Sequence, residues 1–204
     1  MAEVLLFHHA QGLTAGVLEF AAELRGSGHT VHTPDLYEGE TFSELDDGVA
    51  HMKKVGFGTL IERAQAAAGA LPPALVYAGM SMGVGPAQML AQSRPGARGA
   101  LLMFGALAAS EFGGKWPQGV ALQIHAMQDD PWFKDDVEAA RELAKLAGGQ
   151  LFLYPGDKHL FADNSLPDFD DDAARLLKQR ALEFLDGIRW SAGRARAAIL
   201  CRKF

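Results

Sequence analysis

The sequence of 204 residues contains a single cysteine, Cys201, and no excess of basic residues. One cysteine excludes an internal disulfide and is typical of a reducing compartment, so we expect a cytoplasmic protein. The net charge of −6 at pH 7 argues against a nucleic acid or an anionic membrane as a partner. Runs of about 18 consecutive apolar residues are missing, and so is a basic N-terminal segment. We therefore expect neither a membrane span nor a signal peptide.

Apolar residues make up 49% of the chain and charged residues 22%, which is ordinary for a globular protein with a full core. Short apolar segments alternate with segments of helical periodicity along the whole sequence. This order predicts an α/β fold with about six strands in a mostly parallel sheet and helices on both faces. The predicted strands lie at residues 4–7, 30–33, 74–78, 99–104, 120–126 and 150–154.

The length and the uninterrupted pattern predict one domain, residues 1–187, with a last helix that ends at Gly187. Residues 188–204 change composition abruptly, with five arginine or lysine residues and no acidic residue. We expect this basic C-terminal tail to be disordered or extraneous to the fold.

The pentad Gly79-Met80-Ser81-Met82-Gly83 lies between a predicted strand and a predicted helix. A G-x-S-x-G sequence in that context forms a nucleophile elbow, a turn so sharp that a Cβ two residues before or after the serine clashes. The turn delivers Ser81 to a helix N-terminus and directs the backbone N–H of Met82 toward a developing oxyanion. The alternative is a glycine-rich turn with an idle serine.

Three predicted strand ends carry groups that belong together in catalysis. They are Ser81, then Asp129 or Asp130, then His159, in the chain order of an α/β-hydrolase triad. His159 would take the proton of Ser81, and the aspartate would hold the imidazole in one tautomer. The alternatives are a surface histidine and a pair of aspartates that cap the next helix.

His8 and His9 follow the first predicted strand. Adjacent residues on an extended chain point to opposite sides, and no cysteine or carboxylate cluster completes a metal site, so we expect no metal. The loop from His8 to Gly12 either provides a backbone N–H to an oxyanion hole or serves packing alone.

Several segments together are similar to one known family. They resemble the dienelactone hydrolase family in matching order over residues 4–186: VLLFHHAQGL, PDLYEG, GMSMGVGPA, HAMQDDPWF, YPGDKHLFAD and ALEFLD. The resemblance implies an α/β-hydrolase fold and cleavage of esters, including enol-lactones, without a metal or organic cofactor. In the family pattern the acid lies five residues after a strand-end histidine, here His125, which selects Asp130. The oxyanion donors map to the backbone of Ala10 and Met82.

The chain departs from that pattern at two functional positions. Ser81 stands where the family usually has a cysteine, which implies a serine esterase branch. His9 stands where lactone-cleaving members have an acidic residue, so dienelactone itself is not the expected substrate.

The sequence therefore predicts a Ser-His-Asp hydrolase of small carboxylic esters or lactones, acting through an acyl-enzyme as a monomer or homodimer. The alternatives are an idle α/β-hydrolase fold that binds a small molecule, and a phosphate-binding protein that uses the helix after Gly83. Loop position suggests these pocket residues: Glu38, Glu40, Trp116, Trp132 and Phe161.

Overall fold

A computed structural model describes residues 1–200, with side chains for residues 1–188. Its strands are β1 (Glu3–Phe7), β2 (Thr30–His32), β3 (Val76–Met80), β4 (Gly99–Met103), β5 (Ala121–Met127) and β6 (Gln150–Tyr154). Its α-helices are α1 (Ala15–Gly26), α2 (Leu45–Val55), α3 (Phe57–Gly69), α4 (Val84–Ser93), α5 (Val137–Ala147) and α6 (Asp171–Leu200).

The six strands form one sheet in the order β2-β1-β3-β4-β5-β6, and every neighbouring pair is parallel. The predicted fold class is therefore confirmed. All five residues of β3 and all five of β4 are buried, as expected for strands covered on both faces. The order reverses between β1 and β3, so the carboxyl end of β3 lies at the position where α/β sheets bind ligands.

Two apolar cores lie on the two faces of the sheet. Alternate residues of β1 point to opposite faces, so Val4 and Leu6 enter one core while Leu5 and Phe7 enter the other. Helices α1 and α6 cover the first core, and α3, α4 and α5 cover the second. Helices therefore cover both faces of the sheet: α1, α3, α4 and α5 lie between strands in the chain, and α6 follows the last strand.

Helix α1 has the cap and the apolar face that its sequence predicts. The hydroxyl of Thr14 accepts a hydrogen bond from the backbone N–H of Val17 at 3.3 Å. The apolar residues at positions 17, 20, 21 and 24 are all buried. The sequence predicts a helical segment over about residues 48–70 that is weakened by its glycines, and the structure breaks it at Gly56, whose φ of 86° separates α2 from α3.

Two helix boundaries differ from the sequence prediction. The sequence predicts a helix over residues 133–146, but α5 begins at Val137, because residues 130–136 form consecutive turns closed by backbone hydrogen bonds to Asp130 and Phe133. Those turns bury the Phe133 ring in the core. Helix α6 does not end at Gly187, since a glycine in a helix weakens it without terminating it.

Ile188 is the last residue with a described side chain, and it packs against the core near Gly99. The predicted separation of residues 188–204 as a basic tail otherwise falls outside the residues whose side chains are described. No helix in the described part of the chain has the length and hydrophobicity that a bilayer span requires.

Candidate active site

Ser81 occupies a strained turn at the carboxyl end of β3. Its φ of 48° is unusual for a residue with a side chain. A Cβ on Gly79 would lie 2.1 Å from the carbonyl oxygen of Gly83, and a Cβ on Gly83 would lie 2.4 Å from that of Phe7. Both glycines are therefore required, the first for the turn itself and the second because the turn packs on the end of β1. A short 3₁₀ turn, Ser81–Gly83, leads directly into α4.

The structure brings Ser81, His159 and Asp130 together in a continuous hydrogen-bonded chain. The Ser81 Oγ lies 2.8 Å from His159 Nε2, and His159 Nδ1 lies 2.7 Å from Asp130 Oδ2. The other carboxylate oxygen, Asp130 Oδ1, accepts a hydrogen bond of 2.8 Å from the backbone N–H of Trp132. With both oxygens held, the carboxylate keeps Nδ1–H as a donor and leaves Nε2 to accept from the serine hydroxyl.

Asp130 and His159 are both shielded from water. Asp130 is 1% exposed and His159 is 5% exposed. The rings of Phe104 and Trp132 lie near the imidazole, with centroids 6.2 and 5.9 Å away. A hydrogen bond between charged groups is stronger in such a water-poor setting than on the surface.

Asp129, the other aspartate after β5, has different surroundings. It is exposed, its backbone N–H donates to the carbonyl of Gly156, and its carboxylate accepts from the side chain of Gln128 at 3.2 Å. Because successive side chains diverge, only Asp130 reaches His159. The strand-end pattern left both aspartates open, and the family pattern selected Asp130. The structure places Asp130 against the imidazole.

The loop that carries Ala10 is a tight turn beside the end of β1. The N–H of Gly12 donates to the carbonyl of His9 at 3.0 Å, and Gly12 has a φ of 93°. A Cβ on Gly48 of helix α2 would lie 2.3 Å from the Ala10 carbonyl oxygen. The turn is thus fixed by its own hydrogen bond and by the close approach of α2. Met82, the other predicted oxyanion donor, follows Ser81 directly.

His8 uses both ring nitrogens within the protein. Its Nδ1–H donates to the carbonyl of His9 at 2.8 Å, and its Nε2 accepts from the backbone N–H of Leu36 at 3.0 Å. Burial lowers the pKa of His8 to about 4, so the ring stays neutral near pH 7. His8 therefore joins β1 to the segment after β2.

A second buried pair, His9 with Asp163, was not assigned a role from the sequence. The N–H of Gln11 donates to His9 Nδ1, so His9 Nε2 carries the proton and donates to Asp163 Oδ2 at 2.8 Å. The hydroxyls of Thr14 and Ser165 also donate to the Asp163 carboxylate. The feature of the sequence that could have indicated a role for this pair is the position of Asp163, four residues after His159.

Burial of Asp163 by itself raises the pKa of its carboxyl group. The hydrogen bonds from His9, Ser165 and Thr14 outweigh that effect and lower the pKa to about 2. The carboxylate is completely buried and fits so closely that a Cβ on Gly16 would overlap it. It links the loop of His159 to the loop of Ala10 and to the start of α1.

A cavity of about 430 Å³ opens beside Ser81 and His159. Its wall is mainly apolar, with two carboxyl groups, and includes Met52, Phe57, Phe104, Leu107, Phe112 and Trp132. The carboxyl groups belong to Glu111 and Asp136. A space of this size and polarity suits a small organic molecule whose reactive bond lies against the serine.

Only Trp132 among the five predicted pocket residues lines this cavity, so the loop-based prediction was wrong for the other four. Phe161 is buried behind Phe104, with ring centroids 5.0 Å apart. Trp116 donates its indole N–H to the carbonyl of Val120. Glu38 and Glu40 are exposed and do not line the cavity. The Glu38 carboxylate pairs with Arg63 at 2.7 Å.

The parallel sheet, the elbow after β3 and the helices on both faces define an α/β-hydrolase fold, the class to which its structural neighbours also belong. Within that superfamily, the chain belongs to the dienelactone hydrolase family, whose sequence model matches residues 1–188. No curated protein matches the sequence.

Several solved structures share the fold at low sequence identity. A dienelactone hydrolase-like promiscuous phosphotriesterase from metagenomic libraries is 18% identical with a TM-score of 0.74, over 92% of this chain and 87% of that one. Dienelactone hydrolase from Anabaena variabilis is 17% identical with a TM-score of 0.61, over 90% and 84%. A cold-adapted esterase from an Arctic intertidal metagenomic library is 21% identical with a TM-score of 0.55, over 88% and 82%.

Proposed function

We propose that this protein hydrolyses small carboxylic esters or lactones, with Ser81 as nucleophile, His159 as general base and Asp130 as the acid of a triad. The observation that carries the proposal is the hydrogen-bonded chain from Ser81 through His159 to Asp130 beside a mainly apolar cavity. Membership of the dienelactone hydrolase family supports a hydrolase of this type.

The chemistry runs in two halves. His159 Nε2 accepts the hydroxyl proton as Ser81 Oγ attacks the ester carbonyl, and Asp130 stabilises the imidazolium that forms. The backbone N–H groups of Ala10 and Met82 stabilise the tetrahedral oxyanion. Imidazolium then protonates the leaving alcohol, which leaves an acyl-enzyme. In the second half the neutral imidazole activates a water molecule that attacks the acyl carbonyl and frees Ser81.

The strained backbone of Ser81 favours this reading over an idle fold that binds a small molecule. A φ of 48° costs free energy, and such strain clusters at functional sites where the geometry serves the chemistry. A binding module needs the cavity but has no need of a nucleophile held 2.8 Å from a buried histidine. The esterase among its structural neighbours is compatible with the proposal but shows only a shared fold.

The first test is covalent labelling with a fluorophosphonate probe, followed by peptide mapping. We expect a single label on Ser81, none in Ser81→Ala, and unchanged labelling in Ser93→Ala. Ser93 is the matched control because its exposed hydroxyl has no histidine beside it among the described side chains and donates only to Met89 on the same helix. Absence of labelling across the pH range would favour the binding module.

The second test measures turnover of nitrophenyl esters of increasing acyl length, with simple lactones beside them. We expect Ser81→Ala to lose on the order of 10⁴-fold or more in kcat, because triad members act as a unit. Stability should change little, since the hydroxyl is a reacting group and not a packing group. Turnover within about tenfold of the parent would show that the nucleophile is another residue.

A further inference from the structure

A carboxyl group, Asp136, lies in the wall of the same cavity as Ser81 and His159. The residue is half-buried, and the surrounding wall is mainly apolar. No lysine or arginine of residues 1–188, the part with described side chains, is among the residues that line this cavity. The exposed carboxyl of Glu111 adds a second negative charge to the wall.

Helix capping does not explain why an aspartate stands at position 136. Asp136 is the N-cap residue of α5, where an aspartate side chain ordinarily accepts from a backbone N–H of its own helix. Its side chain makes no such bond. Its carboxylate lies instead against the loop after β4. There it is close to the backbone N–H of Ala106 and beside Gly105 in the cavity wall.

The electrostatic surroundings of Asp136 disfavour the charged form of its carboxyl group. Burial raises the pKa of Asp136, and the nearby carboxylates of Asp135 and Asp130 raise it further. The backbone N–H of Ala106 and the charge of His159 lower the pKa, but the net effect is an increase. A cationic or hydrogen-bond-donating group placed in the cavity would therefore be stabilised by the carboxylate. A second carboxylate there would be repelled.

We propose that Asp136, supported by Glu111, determines the charge of the substrate. The cavity takes esters whose bound part carries a cationic or hydrogen-bond-donating group, and it disfavours esters that carry a carboxylate. This inference rests on the proposed esterase function and specifies its substrate class.

Three nitrophenyl esters of equal chain length test the inference. Their acyl chains end in a trimethylammonium group, in the isosteric tert-butyl group and in a carboxylate, and each rate is corrected for spontaneous hydrolysis. The measured quantity is kcat/KM relative to the tert-butyl ester, because that ratio cancels changes in folding and in the triad. We expect the parent to prefer the ammonium ester and to discriminate against the carboxylate ester.

Asp136→Asn removes the charge and keeps the size of the side chain. We expect it to lower the ammonium ratio and to raise the carboxylate ratio, each by roughly tenfold. Asp135→Asn is the matched control, since it makes the same change of charge at the adjacent, exposed residue, outside the cavity wall, and should shift both ratios far less than Asp136→Asn. Unchanged ratios in Asp136→Asn, or equal shifts in the two variants, would overturn the inference while leaving the esterase proposal intact.

A binding experiment separates failure of the inference from failure of the esterase proposal. If the parent cleaves no ester, the proposed function is wrong, and the inference is then decided by amide analogues ending in trimethylammonium or tert-butyl. Their affinity for Ser81→Ala is measured through the fluorescence of Trp132, which lines the cavity. A preference for the ammonium amide that Asp136→Asn abolishes supports the inference, and equal affinities contradict it.

Discussion

Two adjacent aspartates after β5 have opposite environments. Asp130 is buried, with both oxygens hydrogen-bonded to His159 and to the backbone of Trp132. Asp129 is exposed, its carboxylate accepts only from the neighbouring Gln128 side chain, and its backbone N–H donates to Gly156 in the loop after β6. An acid that orients an imidazole must be held in place and kept from water, and only Asp130 meets both conditions.

Asparagine at each position separates the roles of these two aspartates. In Asp130→Asn the amide no longer fixes Nδ1–H of His159, so the histidine loses the tautomer that accepts from Ser81. By analogy with serine protease triads, we expect kcat on one good ester to fall on the order of 10⁴-fold. Asp129→Asn should cost at most a few fold, because its carboxylate contacts neither His159 nor the cavity.

Two other outcomes would change the assignment. A severe loss in Asp129→Asn beside a mild one in Asp130→Asn would reverse the roles. Mild effects in both variants would mean that the acid of the triad lies elsewhere in the chain.

Among the loops, the one between β6 and α6 depends on contacts with distant parts of the chain. It carries His159, and Asp163 anchors it to His9 after β1 and to Thr14 at the start of α1. The same His9 belongs to the turn of Ala10. One buried carboxylate therefore fixes the positions of both the proposed general base, His159, and a proposed oxyanion donor, Ala10.

Removal of that carboxylate should affect stability and catalysis together. Asp163→Ala leaves the N–H of His9 and two hydroxyls without their acceptor in a buried site. We expect a loss of roughly 3–5 kcal/mol in the free energy of unfolding, read from urea denaturation. At a temperature where the variant is folded, kcat should fall more than KM changes, because the carboxylate does not line the cavity.

Asp157→Ala is the control for this prediction, because Asp157 is exposed in the same loop, two residues before His159. It should change neither stability nor kcat. A fully stable Asp163→Ala with the kcat of the parent would show that the loop is held by other contacts.

The elements of this fold were predictable where periodicity or local chemistry decides the structure. The apolar segments predicted all six strands, and the spacing of glycines around Ser81 predicted the elbow. The lining of the cavity was not predictable, because it depends on how separate loops pack. Phe161 and Trp116 turn inward to the core, while Asp136 and Phe112 reach the cavity from positions that no pattern singles out.

Across the whole molecule, several titratable groups are buried in protonation states that acid would change. His125 is completely buried between Tyr154 and Gln123, and desolvation, with the nearby charge of Arg180, lowers its pKa to about 3. Desolvation likewise lowers the pKa of His8 to about 4. Both histidines therefore stay neutral in the folded protein over a range where the unfolded chain is protonated.

The sign of the resulting pH dependence is the same for all these groups. An unfolded histidine has a pKa near 6.5, so between about pH 6.5 and 4 the unfolded state binds protons that the folded state does not. Stability therefore falls as the pH is lowered through this range. The carboxylate of Asp163, with its pKa of about 2 against an ordinary value of 3.8, adds a further loss below about pH 4.

We expect the free energy of unfolding to be nearly constant above about pH 7.5 and to fall between pH 6 and 4. Each fully buried neutral histidine contributes a slope of up to about 1.4 kcal/mol per pH unit. His125→Asn removes one such group, so its slope should be smaller by up to that amount, although the variant is less stable than the parent at pH 8. Urea denaturation of both proteins at half-unit pH steps measures the two slopes. Parallel curves from pH 8 to 4 would mean that His125 takes up a proton in the folded state as readily as in the unfolded chain.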